Sequence, residues 1–430
     1  MRKVVSLVLV SLLFGVGQVM SAVNEKEKDP VAQYEIGMDY LRERNYSEAY
    51  KWFKKSASQK YVDAQFEIGN LYANGNGVKQ SDKDAISWYE KAAEQGSDKA
   101  KFYLGKTYEK SANSNGKNLE QALKNYKQAA ENGYAEAQCY MGDLYYNGKL
   151  VKQDKELAYE WYMKASIKKD KKAQYCLAKM YENGDVIAKD EKKAIKLYRE
   201  SSDSGYDRAQ YEVGNDYYSR GNYKAALKFY KEAEKQGNID AKYALGIMYS
   251  NGDAEETDFE TAFRYFKEAA DGGNEDAIYM LGDMYYKGLG RSKDDKKAFE
   301  YYKKYADITK DLDAQYMVGY MYSKGEGVKQ NVGEAKKWLV LAAKQGHEGA
   351  KEKLKELNAL TAVSAKKETA SKVKTTSVKK ELDMDMMTED EDEKKFDKAK
   401  SKFEKEELGE ERNIQKSRGM NANRRRGLRR

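Results

Sequence analysis

The sequence offers few side chains of the kind that perform catalysis, since it contains one histidine, His347. A single histidine excludes metal sites built from several imidazoles and makes His347 the sole candidate base for a Ser-His-Asp triad. His347 directly follows Gly346, a glycine at the predicted end of a helix. We therefore expect a solvent-facing side chain and not a catalytic base.

The two cysteines, Cys139 and Cys176, fall at similar positions of neighbouring sequence units, described below. Packed helix axes lie about 8–10 Å apart, whereas a disulfide needs Cα atoms within about 7 Å. Buried or half-buried free thiols are the favoured interpretation. A disulfide is the alternative, since an exported protein meets oxidising conditions.

Two other patterns resemble functional sites but have simpler explanations. The Gly-x-Gly segments at Gly75–Gly77 and Gly325–Gly327 lack the preceding strand and the Lys-Ser/Thr of a phosphate-binding loop. Carboxylates are abundant in a chain that is 35% charged, and no pair stands out for acid–base work. The sequence therefore predicts no catalytic, metal-binding or cofactor-binding residues, no cofactor, and a protein that is not an enzyme.

A short pattern that recurs along the chain is the dominant feature of the sequence. One alanine marks each occurrence, in steps of about 32–37 residues, and a period of this size is typical of stacked two-helix units. The repeated alanines are Ala32, Ala64, Ala100, Ala137, Ala173, Ala209, Ala241, Ala277, Ala314 and Ala350.

Local signals divide each unit into two helices. In the second unit Ala64, Ile68 and Tyr72 share one helical face. A residue with a capping side chain, such as Ser81, precedes the second helix, and a glycine such as Gly96 follows it. These signals predict an all-α solenoid of about nine helix pairs.

The consensus A-x-x-x-L-G-x-x-Y-x-x-G-x-G-V-x-x-D-x-x-K-A-x-x-W-Y-x-K-A-A-x-x-G resembles the Sel-one-like repeat, a relative of the tetratricopeptide repeat. The resemblance covers the repeat domain, residues 31–360, and its two shorter units look more like tetratricopeptide repeats. It implies a right-handed superhelix, scaffold or adaptor duty and, in bacteria, frequent export. Some cysteine-rich relatives have disulfides within each repeat, but the corresponding Ala93 and Ala130 here are not cysteines.

Both ends of the chain differ from the repeats. Residues 1–22 combine Arg2 and Lys3 with an apolar run, which predicts a cleaved secretory signal peptide and a secreted or periplasmic location; an uncleaved anchor is the alternative. Without the signal, no membrane span is expected. Residues 361–430 are charged and poor in large apolar side chains, which predicts a disordered tail, with Lys394 to Glu411 able to form a partner-induced helix.

The resemblance also indicates where a partner would bind, because first helices line the concave face of the related tetratricopeptide fold. Positions six and nine residues after the repeated alanine vary, as a ligand surface should. The predicted partner-binding residues are Asp143, Tyr146, Lys179, Asn215, Tyr218, Asp283, Tyr286 and Tyr320. A solvated face without a ligand is the alternative.

The function that these observations predict is an exported protein–protein interaction scaffold, expected to be a monomer, that holds a partner protein or peptide on this face. A hydrolase acting on cell-wall material is an alternative, although no nucleophile beside a base is visible. A weaker alternative is binding of anionic surfaces or nucleic acid through the arginine-rich end, residues 424–430. Nucleic acid is not favoured, because the repeats themselves are nearly neutral.

Overall fold

The computed structural model describes residues 28–112, 116–253 and 256–377, with side chains described to residue 362. Every regular element in these segments is a helix, as predicted. The predicted signal peptide and residues 378–430 lie outside the described residues. The chain divides into two compact units between Gln236 and Gly237, here called unit 1 and unit 2.

Unit 1 contains six helix pairs in its described residues. They are α1 Pro30–Arg42, α2 Tyr46–Ser58, α3 Val62–Asn74, α4 Asp82–Glu94, α5 Asp98–Lys110, α6 Gly116–Glu131, α7 Ala135–Asn147, α8 Lys155–Ile167, α9 Lys171–Asn183, α10 Glu191–Asp203, α11 Asp207–Ser219 and α12 Tyr223–Lys235.

Unit 2 contains three helix pairs and a longer last helix in its described residues. They are α13 Ile239–Asn251, α14 Phe259–Asp271, α15 Glu275–Lys287, α16 Asp295–Thr309, α17 Leu312–Lys324, α18 Val332–Lys344 and α19 Glu348–Ser377. In both units the odd-numbered helices begin the repeats, and we call them first helices; their partners are second helices.

The predicted boundaries depend on side-chain caps that the structure shows. The side chains of Ser81, Asp154 and Asn331 each accept a hydrogen bond from a backbone N–H in the first turn of a second helix. A cap of this kind stabilises a helix by about 1 kcal/mol. Gly96 and Gly346 after the second helices have φ of +92° and +95°, a conformation that favours glycine.

Small residues on the first helix allow the second helix to approach closely. Gly69 lies against the ring of Tyr89, and a Cβ at this glycine would be 2.5 Å from a ring carbon. Ala85 on the second helix is fully buried in the same cluster as Tyr89. In seven repeats a large ring of the second helix packs in this way on a glycine of the first helix, whereas Gly319 meets Leu339 instead.

The end of the repeats differs from the expectation. We predicted that the repeat domain ends at residue 360, where the tail begins, but α19 continues to Ser377. Residues 361–377, which we assigned to the tail, are therefore helical. Their sequence contains several alanines and lysines and neither proline nor glycine, so nothing in it ends the helix at Leu360.

Candidate functional site

The predicted partner-binding residues lie on the first helices, and the structure shows that they contact other residues of the fold. In unit 1, Asp143 Oδ1 accepts a hydrogen bond of 2.9 Å from the hydroxyl of Tyr162. Asn215 Oδ1 accepts one of 2.8 Å from the hydroxyl of Tyr230. Both tyrosines are buried on second helices. The position six residues after the repeated alanine thus satisfies a buried hydroxyl, which would otherwise cost about 1–3 kcal/mol.

The same arrangement recurs in unit 2. The hydroxyl of Tyr302 donates to Oδ1 of Asp283, whose second oxygen accepts a hydrogen bond of 3.0 Å from Lys287. Asp283 is only 7% exposed. This carboxylate is therefore nearly inaccessible to a partner, and its main contacts are internal.

Where the second helix has phenylalanine in place of tyrosine, the first helix has no polar acceptor. Phe266 is buried in a cluster that also contains Ile247, and Phe53 is buried in one that contains Met38. In these repeats a tyrosine on the second helix occurs with a polar residue on the first helix, and a phenylalanine occurs with an apolar residue. We call these combinations matched pairs. The variation that we interpreted as a sign of ligand binding follows in part from this internal pairing.

Charged residues on the first helices of unit 1 form ion pairs from one repeat to the next. Asp143 pairs with Lys172, and Lys179 lies 3.0 Å from Glu182 and 3.6 Å from Glu212. Two further pairs extend the pattern, Lys99 with Glu67 and Lys106 with Glu136, both at 3.9 Å. We call this series the ion-pair ladder.

Tyr146 connects one repeat of unit 1 to the next. Its hydroxyl donates a hydrogen bond of 2.9 Å to Asp185, in the loop after α9, and Lys155 donates one of 2.6 Å to the same carboxylate. Although burial opposes the shift, these hydrogen bonds lower the pKa of Asp185. Asp185 is therefore ionised at neutral pH and holds the Tyr146 ring, over which the Lys155 ammonium lies at 5.1 Å.

The other predicted tyrosines have similar neighbours. Tyr286 in unit 2 donates a hydrogen bond of 3.1 Å to Glu326 in the loop after α17, which repeats the arrangement of Tyr146. The ring of Tyr218 packs on that of Tyr223 at 5.2 Å between centroids. All four rings, including Tyr320, remain half-buried, so part of each is accessible.

The first helices of unit 2 carry apolar residues at positions that hold the ion-pair ladder in unit 1. Ile247, Met280 and Tyr320 are half-buried and pack against the core clusters of unit 2. The ring of Tyr320 lies 6.2 Å from that of Tyr316, and the ammonium of Lys353 lies 5.4 Å from the Tyr320 ring. We call Ile247, Met280, Tyr286, Tyr316 and Tyr320 the apolar face.

His347 was predicted to face solvent, and this prediction is wrong, because its side chain is only 17% exposed. The imidazole stacks on Tyr316 at 4.3 Å, and Nδ1 accepts a hydrogen bond from the Ala350 N–H. Burial lowers the pKa of His347, although Asp313, 3.5 Å from Nε2, opposes the shift. The histidine therefore caps α19 as a neutral acceptor, a role that Ser, Asn or Asp fills in other helices.

The cysteines lie where the repeat pattern indicated, Cys139 buried on α7 and Cys176 half-buried on α9, and both thiols are free. Within the residues that the structure describes, no group of three or more His, Cys, Asp or Glu side chains could hold a metal ion. In the same residues no helix is both long and apolar enough to cross a bilayer.

The predicted residues therefore form two local groups with different chemistry. Asp143, Tyr146 and Lys179 lie among the ion pairs of unit 1, with Asn215 and Tyr218 further along the same unit. Asp283, Tyr286 and Tyr320 lie on unit 2. Ile247, Met280 and Tyr316 were not predicted. Ile247 at position six and Met280 at position three are apolar where several repeats of unit 1 hold charged residues, and this signal could have identified these two.

Comparisons with known proteins agree with this repeat architecture. The family model described as "Sel1 repeat" matches nine consecutive segments, at residues 30–61, 62–97, 98–134, 135–170, 171–206, 207–238, 239–274, 275–307 and 312–347. A search among curated protein sequences finds no match to the chain.

Solved structures with the same type of fold include two bacterial proteins. A protective antigen of uropathogenic Escherichia coli that displays an SLR fold is 22% identical, with 84% of this chain and 88% of that chain covered and a TM-score of 0.48. A Sel1 repeat protein from Oxalobacter formigenes is 29% identical, with 56% of this chain and 96% of that chain covered and a TM-score of 0.49.

Proposed function

The chain belongs to the Sel1 repeat family, and we propose that it is an exported, monomeric scaffold that binds a partner protein or peptide on its first-helix face. Proteins of this family are generally protein-interaction scaffolds and typically not enzymes. The export part of the proposal is supported by the signal-like residues 1–22 of the sequence. The charged residues 378–430 would supply a second contact.

The observation that carries this proposal is the apolar face of unit 2. Ile247, Met280 and Tyr320 are half-buried at the same position or nearby positions of three consecutive repeats. At the position of Ile247 and Tyr320, six residues after the repeated alanine, three repeats of unit 1 hold Lys106, Asp143 and Lys179, which form ion pairs. Methionine and tyrosine are favoured at adaptable protein interfaces, because one is flexible and polarisable and the other offers a large amphipathic ring.

Within this proposal the predicted residues have two roles. Tyr146, Tyr218, Tyr286 and Tyr320 would contact the partner through the accessible parts of their rings, and an anchor of this type contributes about 1–2 kcal/mol or more when it is central and desolvated. Asp143, Lys179, Asn215 and Asp283 would hold the helices and rings in place through the contacts described above.

Site-specific photocrosslinking in the native host tests the proposal. A photoreactive residue at Met280 should form an adduct with one partner, which mass spectrometry then identifies, and a residue at Ile247 should capture the same partner. Lys267 on the second helix α14 is the matched control, because it is exposed and forms an ion pair with Asp271 of the same helix. Equal capture from Lys267, or different proteins at each position, would contradict the proposal.

A further inference from the structure

Cys139 and Cys176 meet across the boundary between two repeats of unit 1. Cys139 belongs to a buried cluster with Tyr162 and Leu177, and Cys176 packs against that cluster from the next repeat. The thiol of Cys176 lies close enough to interact directly with the thiol of Cys139. Two thiols from the first helices of consecutive repeats are thus neighbours.

The two thiols differ in accessibility. Cys139 is 2% exposed, whereas Cys176 is half-buried. The neighbouring Cys176 thiol and burial raise the pKa of Cys139. Because the thiolate is the reactive form, Cys139 is a poor initiating nucleophile, and an oxidant from solution meets Cys176 first.

We propose that Cys139 and Cys176 are a redox modification site, at which a small-molecule disulfide such as oxidised glutathione converts the two thiols into a disulfide that joins α7 to α9. The disulfides of the cysteine-rich relatives lie within a repeat. This one would join the first helices of consecutive repeats, next to the ion pair of Asp143 with Lys172.

The reaction is a pair of thiol–disulfide exchanges. The Cys176 sulfur attacks one sulfur of the external disulfide, a mixed disulfide forms at Cys176, and one thiol leaves. The Cys139 sulfur then attacks the Cys176 sulfur and displaces the second thiol, which takes the Cys139 proton. Two cysteine sulfurs are oxidised, and the external disulfide is reduced to two thiols.

The cross-link would change the stability of unit 1 and the freedom of two of its helices to move apart. It closes a loop from residue 139 to residue 176, which restricts the unfolded chain, and we expect the melting temperature of unit 1 to rise by roughly 3–10 °C. It would also fix the distance between α7 and α9, and so the spacing of Tyr146 and Lys179 on the first-helix face.

The test uses the full chain, incubated with oxidised glutathione or with dithiothreitol, then alkylated after denaturation and analysed by non-reducing peptide mass spectrometry. We expect both thiols to disappear together, with a peptide in which residues 139 and 176 are linked within one chain. In Cys139→Ala, glutathione should remain attached to Cys176, which traps the intermediate; in Cys176→Ala, Cys139 should stay largely unmodified.

Two results would overturn the proposal. One is a wild-type chain that carries glutathione on Cys176 while Cys139 remains free to react with the alkylating agent. The other is a linkage only between two chains, shown by a dimer on a non-reducing gel. Neither result depends on a variant that must fold, because both are measured on the wild-type protein.

Discussion

In unit 1 the first helices of consecutive repeats are joined by lysine–carboxylate pairs, such as Lys106 with Glu136 and Lys179 with Glu212. In unit 2 the equivalent face presents Ile247, Met280 and Tyr320. The two units use the same core, in which a second-helix ring packs on a glycine of the first helix, at Gly69 with Tyr89 and at Gly246 with Phe266. The difference therefore lies on the surface and not in the fold.

This contrast indicates how a repeat protein divides its sequence between stability and binding. The buried positions are constrained in every repeat, because each must fill the same space. The face positions are constrained mainly by their immediate neighbours, so one region holds charges that pair with each other, and another holds half-buried apolar side chains. Contiguous apolar area that remains accessible at a surface is typical of interaction sites.

The largest expected effect tests what the two units share. Gly69→Ala and Gly246→Ala each place a Cβ about 2.5–2.6 Å from ring carbons of Tyr89 and Phe266. Overpacking costs about 1–3 kcal/mol, and the higher helix propensity of alanine returns at most about 1 kcal/mol. Both variants should lower the melting temperature of their own unit in differential scanning calorimetry. If Gly69→Ala lowered the melting temperature and Gly246→Ala left it unchanged, the cores of the two units would differ.

A smaller effect is expected from the buried tyrosine pairs. Tyr302→Phe removes the hydroxyl that donates to Asp283, which is 7% exposed, and should destabilise unit 2 by about 1–3 kcal/mol. The double variant Tyr302→Phe with Asp283→Ile reproduces the natural pair of Phe266 and Ile247, so it should recover most of the loss. Urea unfolding of the two single variants and the double variant gives the coupling energy. Additive losses would contradict the matched-pair interpretation.

A third prediction concerns salt. The ion-pair ladder is partly exposed, so each pair contributes about 0–1 kcal/mol, and salt should weaken it. In 1 M NaCl, amide hydrogen exchange in α5, α7 and α9 should accelerate relative to α13, α15 and α17. Lys106→Gln should remove part of this response. Equal responses in both units would mean that the ladder does not distinguish them.

The smallest effect is a pH dependence at the start of α19. Burial lowers the pKa of His347 below its usual 6.5, so the unfolded chain binds the proton more readily than the folded one. Stability should therefore be lost as the pH falls below 6.5 towards the lower pKa of the folded state. His347→Asn keeps a capping acceptor and should abolish this dependence in thermal melts between about pH 7 and pH 5. If the melting temperature of the His347→Asn variant still fell with pH over this range, another group would be the cause of the pH dependence.

Much of the fold could be predicted from the sequence, because the same short pattern fixes the same local structure in every unit. The caps at Ser81 and Asn331, the positive-φ glycines such as Gly96 and the alternation of small and large residues all lie where the pattern placed them. The length of α19 could not be predicted from the repeats, since residues 361–377 have no counterpart in another unit.

The candidate site was harder to predict, because variation along a repeat has two causes. Positions such as Asp143 and Asn215 vary with the second-helix residue that they bond, and a ligand would cause variation of the same kind. Comparing two positions at once separates the causes, since Asn215 occurs with Tyr230 and Ile247 with Phe266. The burial of His347 follows from its stacking on Tyr316, a residue 31 positions earlier in the sequence, and no local signal indicates this contact.

The central claim, that the apolar face of unit 2 binds the partner, is tested most directly by one affinity comparison. The partner identified by crosslinking at Met280 would be titrated against wild type, Met280→Glu and Lys106→Glu, all first confirmed to melt as the wild type does. We predict that Met280→Glu weakens binding by about 10–100-fold, as expected for loss of a central apolar anchor, while Lys106→Glu changes it by less than about 3-fold. Similar losses in both variants, or a loss in Lys106→Glu alone, would contradict the account.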